Sequence, residues 1–113
     1  GDLTVNLDDS DLVIVEGRFS RVEANGDDSD IEISTSLVDG GRYSFDIEDS
    51  DLWLHILDGG GRFAIEHEDT DINVGPEFKQ ELQTETASTY QLEGGTAKVV
   101  VNGEDSDIEV SRN

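Results

Sequence analysis

The pattern with the most chemical potential is Asp-Ser/Thr-Asp-Leu/Ile, which occurs five times: Asp9-Ser10-Asp11-Leu12, Asp28-Ser29-Asp30-Ile31, Asp49-Ser50-Asp51-Leu52, Asp69-Thr70-Asp71-Ile72 and Asp105-Ser106-Asp107-Ile108. Two carboxylates one residue apart present hard oxygen atoms of the kind that hold Ca²⁺. The candidate ligands are Asp9, Asp11, Asp28, Asp30, Asp49, Asp51, Asp69, Asp71, Asp105 and Asp107; no resident cofactor is expected, and calcium is the ion that such a ladder would take if it binds one. The pattern fits neither the twelve-residue EF-hand loop nor the shorter, glycine-rich period of the calcium β-roll. The same residues have a second use, since Asp and Ser bond their own backbone in tight turns. Catalytic chemistry has little to stand on. The chain has no cysteine and no Gly-x-Ser-x-Gly, His-Glu-x-x-His or P-loop motif. His55 and His67 fall near strand ends, His67 at a core-type position. The expectation is a protein that is not an enzyme.

The elements that carry this motif follow from its period. From Asp11 through Asp30, Asp51 and Asp71 to Asp107 the spacings are 19, 21, 20 and 36 residues. The last gap predicts a degenerate copy at Ala87–Leu92, with Thr89 in the aspartate position. With the second aspartate as position zero, positions −8, −6 and −4 read Leu3/Val5/Leu7, Val22/Ala24/Gly26, Tyr43/Phe45/Ile47, Phe63/Ile65/His67 and Val99/Val101/Gly103. Positions +1 and +3 read Leu12/Ile14, Ile31/Ile33, Leu52/Leu54, Ile72/Val74, Tyr90/Leu92 and Ile108/Val110. Alternation of this kind marks half-buried strands. Each repeat is therefore a strand, an acidic corner, a short second strand and a turn; three turns carry glycine pairs or triplets, at Gly40-Gly41, Gly59-Gly60-Gly61 and Gly94-Gly95. Trp53, Val13 and His55 fall on outward positions, where Trp53 would pack under a loop or touch carbohydrate or protein.

Self-similarity at a fixed period is the signature of a repeat architecture. The expectation is an all-β, single-domain β-solenoid, β-helix-like, of about six coils of 18–21 residues over 1–113, excised from a longer protein. Six coils at the strand spacing make a rod about 30 Å long. The segment from Gly75 to Thr89, with the single proline, should interrupt its regularity. Disorder is excluded because Leu, Ile, Val and Phe supply 31 of 113 residues, above the roughly 20% floor for acidic chains that do not fold.

Stacking would turn repeated positions into columns. Positions −3, −2 and zero would line up 15 of the 28 acidic residues, and position −9 would line up Arg21, Arg42, Arg62 and Lys98. Like charges at the strand spacing repel by about 0.9 kcal/mol per pair even in water. The net charge of −21 argues against nucleic acid, which is bound by neutralising phosphates, and against anionic membranes. No apolar run reaches the roughly 18 residues of a membrane span. Such a surface suits high salt, where screening is short-ranged, so a halophilic source is expected.

The repeat resembles the prokaryotic putative-adhesin family of domains of unknown function, whose strands close on Ser-Gly-Asp-Ile/Val-x-Leu/Val. The matching residues are Ser10-Asp11-Leu12, Ser29-Asp30-Ile31-Glu32-Ile33 and Ser106-Asp107-Ile108-Glu109-Val110, together with Gly41-Arg42-Tyr43, Gly61-Arg62-Phe63 and the closing stretch Gly75 to Val110. The family's glycine between serine and aspartate is absent here. The resemblance implies a β-helical surface or envelope domain, for which adhesin is a label and not an activity. The expectation for this chain is a non-enzymatic scaffold or adhesive surface module, envelope-associated or extracellular, with a surface protein or carbohydrate as its partner. The resemblance carries over no functional residues. Two alternatives remain open: a cation-binding module using the Asp-Ser-Asp ladder, and a self-assembling rod similar to the bactofilins, joined end to end through unpaired strand edges.

Overall fold

The computed structural model describes residues 2–9 and 11–112, with the side chains of 12–18 left aside. Ser10 of the first motif and the side chains of Leu12, Val13 and Ile14 thus lie outside the described residues. The described chain is all-β. Its strands are β1 (Asp2–Asp8), β2 (Asp11–Asp27), β3 (Asp30–Glu48), β4 (Asp51–Asp58), β5 (Gly61–Glu68), β6 (Asp71–Val74), β7 (Lys79–Gln83), β8 (Ala87–Leu92), β9 (Ala97–Glu104) and β10 (Asp107–Arg112).

Burial follows the sequence alternation. Along β3 every second residue from Ile31 to Ile47 is buried apart from the turn around Gly40. Val22, Ala24, Ile31, Ile33, Tyr43, Phe45, Ile47, Leu52, Leu54, Phe63, Ile65, Val99, Val101, Ile108 and Val110 are each at most 1% exposed. Leu3, Val5 and Leu7 at one end, and Ile72 and Val74 at the other, are only partly buried against this core. The strands form one curled sheet, because β2 and β3 bend and run through both of its walls. At the bend the buried Tyr43 hydroxyl donates to the carbonyl of Phe19 and accepts the N–H of Val38 at 3.0 Å.

The register is that of the repeat. Parallel pairing sets Asp11 beside Asp30, Asp30 beside Asp51, Asp51 beside Asp107 and Asp107 beside Asp71. On the other wall Arg21 lies beside Arg42, Arg42 beside Lys98 and Lys98 beside Arg62. The order along the stack is therefore first, second, third, last, fourth: the C-terminal repeat is inserted between the third and the fourth.

The degenerate copy departs from the sequence reading. Ala87–Leu92 does not join the parallel columns. It pairs antiparallel with β5, which puts Thr89 beside Ala64 instead of beside an aspartate. The physical reason is the inserted strand β9, which occupies the other edge of β5 and leaves β8 to close the stack as a hairpin with β7. Phe78 is buried there and meets Phe63 edge-on, with ring centroids 5.1 Å apart. The extents of 34 × 33 × 20 Å describe a thick slab rather than a rod.

The glycine turns make the insertion sterically possible. A Cβ on Gly61 would lie 2.0 Å from the Ala97 carbonyl oxygen, and one on Gly60 would lie 2.4 Å from that of Leu92. Gly40, by contrast, has φ +75° and open space around it. Gly40→Ala should cost about 1 kcal/mol of left-handed backbone strain. Gly61→Ala forces backbone apart at the β5–β9 junction and should cost about 3 kcal/mol or more. Denaturant melts of the two variants check the ranking; equal losses would contradict the close docking of the inserted repeat.

Candidate functional site

The acidic corners are built alike. The first aspartate of each motif is left-handed, at φ 53° in Asp9, 50° in Asp28, 51° in Asp49, 50° in Asp69 and 49° in Asp105. After glycine, Asp and Asn tolerate this region best, so the residue type answers first to the turn. Its N–H reaches the neighbouring repeat: Asp9 donates to Asp27 O at 2.9 Å, Asp28 to Glu48 O at 3.1 Å, Asp49 to Glu104 O at 2.9 Å and Asp105 to Glu68 O at 2.9 Å. The left-handed residue of each corner thus precedes the serine or threonine.

The hydroxyl of the motif points inward. Ser29, Ser50 and Ser106 are buried. Ser50 Oγ donates to Glu48 O at 2.8 Å and accepts the Ser29 N–H at 3.0 Å. Ser106 Oγ donates to Glu104 O at 2.7 Å and accepts the Ser50 N–H at 3.1 Å. Thr70 Oγ1 donates to Glu68 O at 2.9 Å and accepts the Ser106 N–H at 3.2 Å. A continuous ladder therefore runs Ser29–Ser50–Ser106–Thr70. Removing one hydroxyl would strand a buried N–H, a loss of about 1–3 kcal/mol. Sequence reasoning weighed only the local bonds of these residues and missed the bonds between repeats. The available signal was that all five copies carry a hydroxyl between their aspartates.

The ten predicted ligands fall into two columns. Asp11, Asp30, Asp51, Asp107 and Asp71 open the strands of one wall. Asp9, Asp28, Asp49, Asp105 and Asp69 sit in the turns, beside Asp8, Asp27, Glu48, Glu104 and Glu68. Among the described residues, Asp27, Asp28 and Asp49 bring one oxygen each within 4.8 Å of the others. Asp27 lies outside the Asp-x-Asp set, so this group joins two repeats and is not the pair of one motif.

Among the described residues, three carboxyls titrate above their ordinary range. Asp51 is raised by loss of solvent, then by the charges of Asp30 and Asp107 on either side, with hydrogen bonds to both. Glu48 is raised by Glu104, then by Asp27, by loss of solvent and by Asp49 and Asp28. Asp27 is raised by loss of solvent, then by Asp28, Asp8, Asp49 and Asp9. The first charge felt by Glu48 belongs to the inserted repeat, so the electrostatics follow the stacking order.

The outer face of the wall that carries Arg21, Arg42 and Lys98 is bipolar. At the strand starts, Arg21, Arg42 and Lys98 line an open groove of about 450 Å³ with Val22, Tyr43 and Val100. At the strand ends, Asp46, Glu48, Glu66, Glu68 and Glu104 line a second groove of about 460 Å³ with His67. Arg21 lies 3.9 Å from Glu23 and Arg62 lies 3.4 Å from Glu81. Both histidines have structural partners: His67 Nε2 is 3.2 Å from Ser88 Oγ, and His55 Nδ1 is 2.9 Å from Ser111 Oγ. Trp53 is half-buried in register between Glu32 and Glu109.

A raised carboxyl binds its proton more tightly folded than unfolded, so stability rises as pH falls through its folded pKa. At low salt the melting temperature should increase from pH 7 toward the carboxylate range, whose ordinary values are 3.8 for Asp and 4.5 for Glu. Asp51→Asn should flatten that slope. Thermal melts across this interval check it, and a steady fall in stability on acidification would contradict the account.

No protein-family model matches the chain, and no curated protein matches it. Among solved structures, the crystal structure of a putative cell adhesion protein from Clostridium sporogenes ATCC 15579 is similar at a TM-score of 0.60 and 8% identity. The likeness covers 99% of this chain and 54% of that one, so the chain spans about half the length of that neighbour. At this identity the similarity is one of fold.

Proposed function

We propose that this chain is a non-enzymatic, adhesin-like scaffold module of the cell envelope or extracellular space, built as a short β-solenoid with its last coil inserted. The observation that carries the reading is the fold likeness to a putative cell adhesion protein over 99% of this chain. The bipolar outer face supports it. Two open grooves of opposite charge on one wall suit a broad surface contact with a protein or carbohydrate partner. Protease treatment of intact cells of the source organism tests the location. The domain should be cleaved or shed without lysis, and protection until lysis would contradict the reading.

The acidic ladders add a solvent requirement. With a net charge of −21, repulsion between stacked carboxylates weakens as the Debye length shrinks to about 3 Å at 1 M salt. A halophilic source follows from this reading. A second reading, calcium binding, draws on the approach of Asp27, Asp28 and Asp49 within 4.8 Å. One titration separates the two. Melting temperature should climb with NaCl, and under the screening reading a few millimolar CaCl₂ added to high NaCl should change nothing further. A calcium-specific rise abolished by Asp28→Asn would favour the second reading, and a melting temperature indifferent to NaCl would contradict the first.

A further inference from the structure

The chain has 28 acidic side chains for 7 basic ones, so a carboxylate could stand beside every cation. The outer face of the basic wall does the opposite. Parallel pairing sets Arg21 beside Arg42, Arg42 beside Lys98 and Lys98 beside Arg62. These four exposed cations stand in one row at the strand spacing of about 4.8 Å. The row continues through the neutral Gln91, beside Arg62, to Lys79. Arg21 reaches Glu23 at 3.9 Å and Arg62 reaches Glu81 at 3.4 Å. Arg42 and Lys98, at the centre, have no acidic partner among the described residues. Two residues on, where Arg21 is followed by Glu23, they are followed by Ser44 and Val100. Like charges held side by side repel, and no contact within the described fold offsets the repulsion of this pair.

The same cations edge a groove. Arg21, Arg42 and Lys98 line the open space of about 450 Å³ together with Ser44 and Val100. We propose that this row binds a linear acidic polysaccharide, with a carboxylate or sulfate carried on successive sugars. The proposal rests on the surface-module reading above and deepens it, by naming the partner class and the groups that hold it. Guanidinium groups grip such anions through paired, parallel N–H bonds, and three of the four exposed cations are arginines.

The step along the row favours a sugar chain over an acidic peptide. In an extended peptide, carboxylates on one side recur every second residue, about 6.4–6.8 Å apart, out of step with the cations. A pyranose unit is close to one strand spacing in length, so a charge on each sugar keeps step. The five spacings from Arg21 to Lys79, about 24 Å in all, take about five sugars. The net charge of −21 acts from further off. On this wall the acidic row Asp27, Glu48, Glu104 and Glu68 lies six residues along the strands from the cations, about 20 Å away. That is more than twice the Debye length of about 8 Å at physiological salt, so the row is screened while direct contacts are not.

Calorimetric titration of the purified chain tests the proposal, at the lowest NaCl concentration where circular dichroism shows it folded. Polygalacturonate and dextran sulfate supply the two anions, dextran is the uncharged control and poly-glutamate the acidic peptide. One or both charged glycans should bind, and dextran should not. Arg42→Gln and Lys98→Gln alter exposed side chains outside the core, and each should weaken binding about tenfold, the worth of one charge-assisted contact. Arg112→Gln, which removes a cation of the other wall, should leave it unchanged. Failure of both charged glycans to bind, equal binding of dextran, or a loss no greater in Arg42→Gln and Lys98→Gln than in Arg112→Gln overturns the proposal. Tighter binding of poly-glutamate than of either glycan overturns it in favour of an acidic protein partner. None of these results moves the proteolysis of intact cells, which tests the surface-module reading separately.

Discussion

Everything in this fold depends on holding like charges in register. Each parallel step between repeats sets aspartate beside aspartate and glutamate beside glutamate or aspartate, and each such pair at the strand spacing repels by about 0.9 kcal/mol even in water. A slip of one residue would relieve some of these contacts but would turn the apolar face outward. The buried hydroxyl ladder opposes a slip as well. Ser29, Ser50, Ser106 and Thr70 each bind within their own turn, and Ser50, Ser106 and Thr70 also accept the N–H of the neighbouring repeat. Apolar burial and hydroxyl bonding thus set one register, and the carboxylates accept its electrostatic cost. Part of that cost appears in the raised titration of Asp51, Glu48 and Asp27.

The motif separates two jobs that the sequence merges. The left-handed aspartate serves the turn, since Asp9, Asp28, Asp49, Asp69 and Asp105 all hold φ near 50°. The second aspartate opens the next strand and faces its counterparts across the stack. Charge is therefore a by-product of turn chemistry at one position and a true column at the other. The carboxylate group of Asp27 with Asp28 and Asp49 arises only because repeats are stacked. No reading of a single motif would find it.

Much of the architecture was legible beforehand. The period-two burial of Tyr43, Phe45 and Ile47, and of Ile31 and Ile33, follows directly from alternation. The side-by-side pairing of equivalent positions follows from the repeat. The stacking order was not legible, and the reason is physical. Because every repeat offers the same columns, Asp107 fits beside Asp51 as well as Asp71 would, and the local pattern cannot choose. The choice lies in the turns, where Gly59-Gly60-Gly61 and Gly95 pass so closely that a Cβ would collide with backbone. Those glycines read in the sequence only as left-handed turn residues. At Gly60 and Gly61 their use is close approach.

The inserted repeat also explains the antiparallel finish. With β9 on one edge of β5, the segment at Ala87–Leu92 fills the other edge and the exposed β7 ends the sheet. The central claim is that the hydroxyl ladder runs Ser29–Ser50–Ser106–Thr70, with the last repeat between the third and the fourth. Nuclear Overhauser contacts at the turns test it most directly. The account predicts cross-peaks linking the Ser106 amide to Thr70 and the Ser50 amide to Ser106. Cross-peaks joining Ser50 directly to Thr70, with Ser106 at an end of the stack, would contradict it.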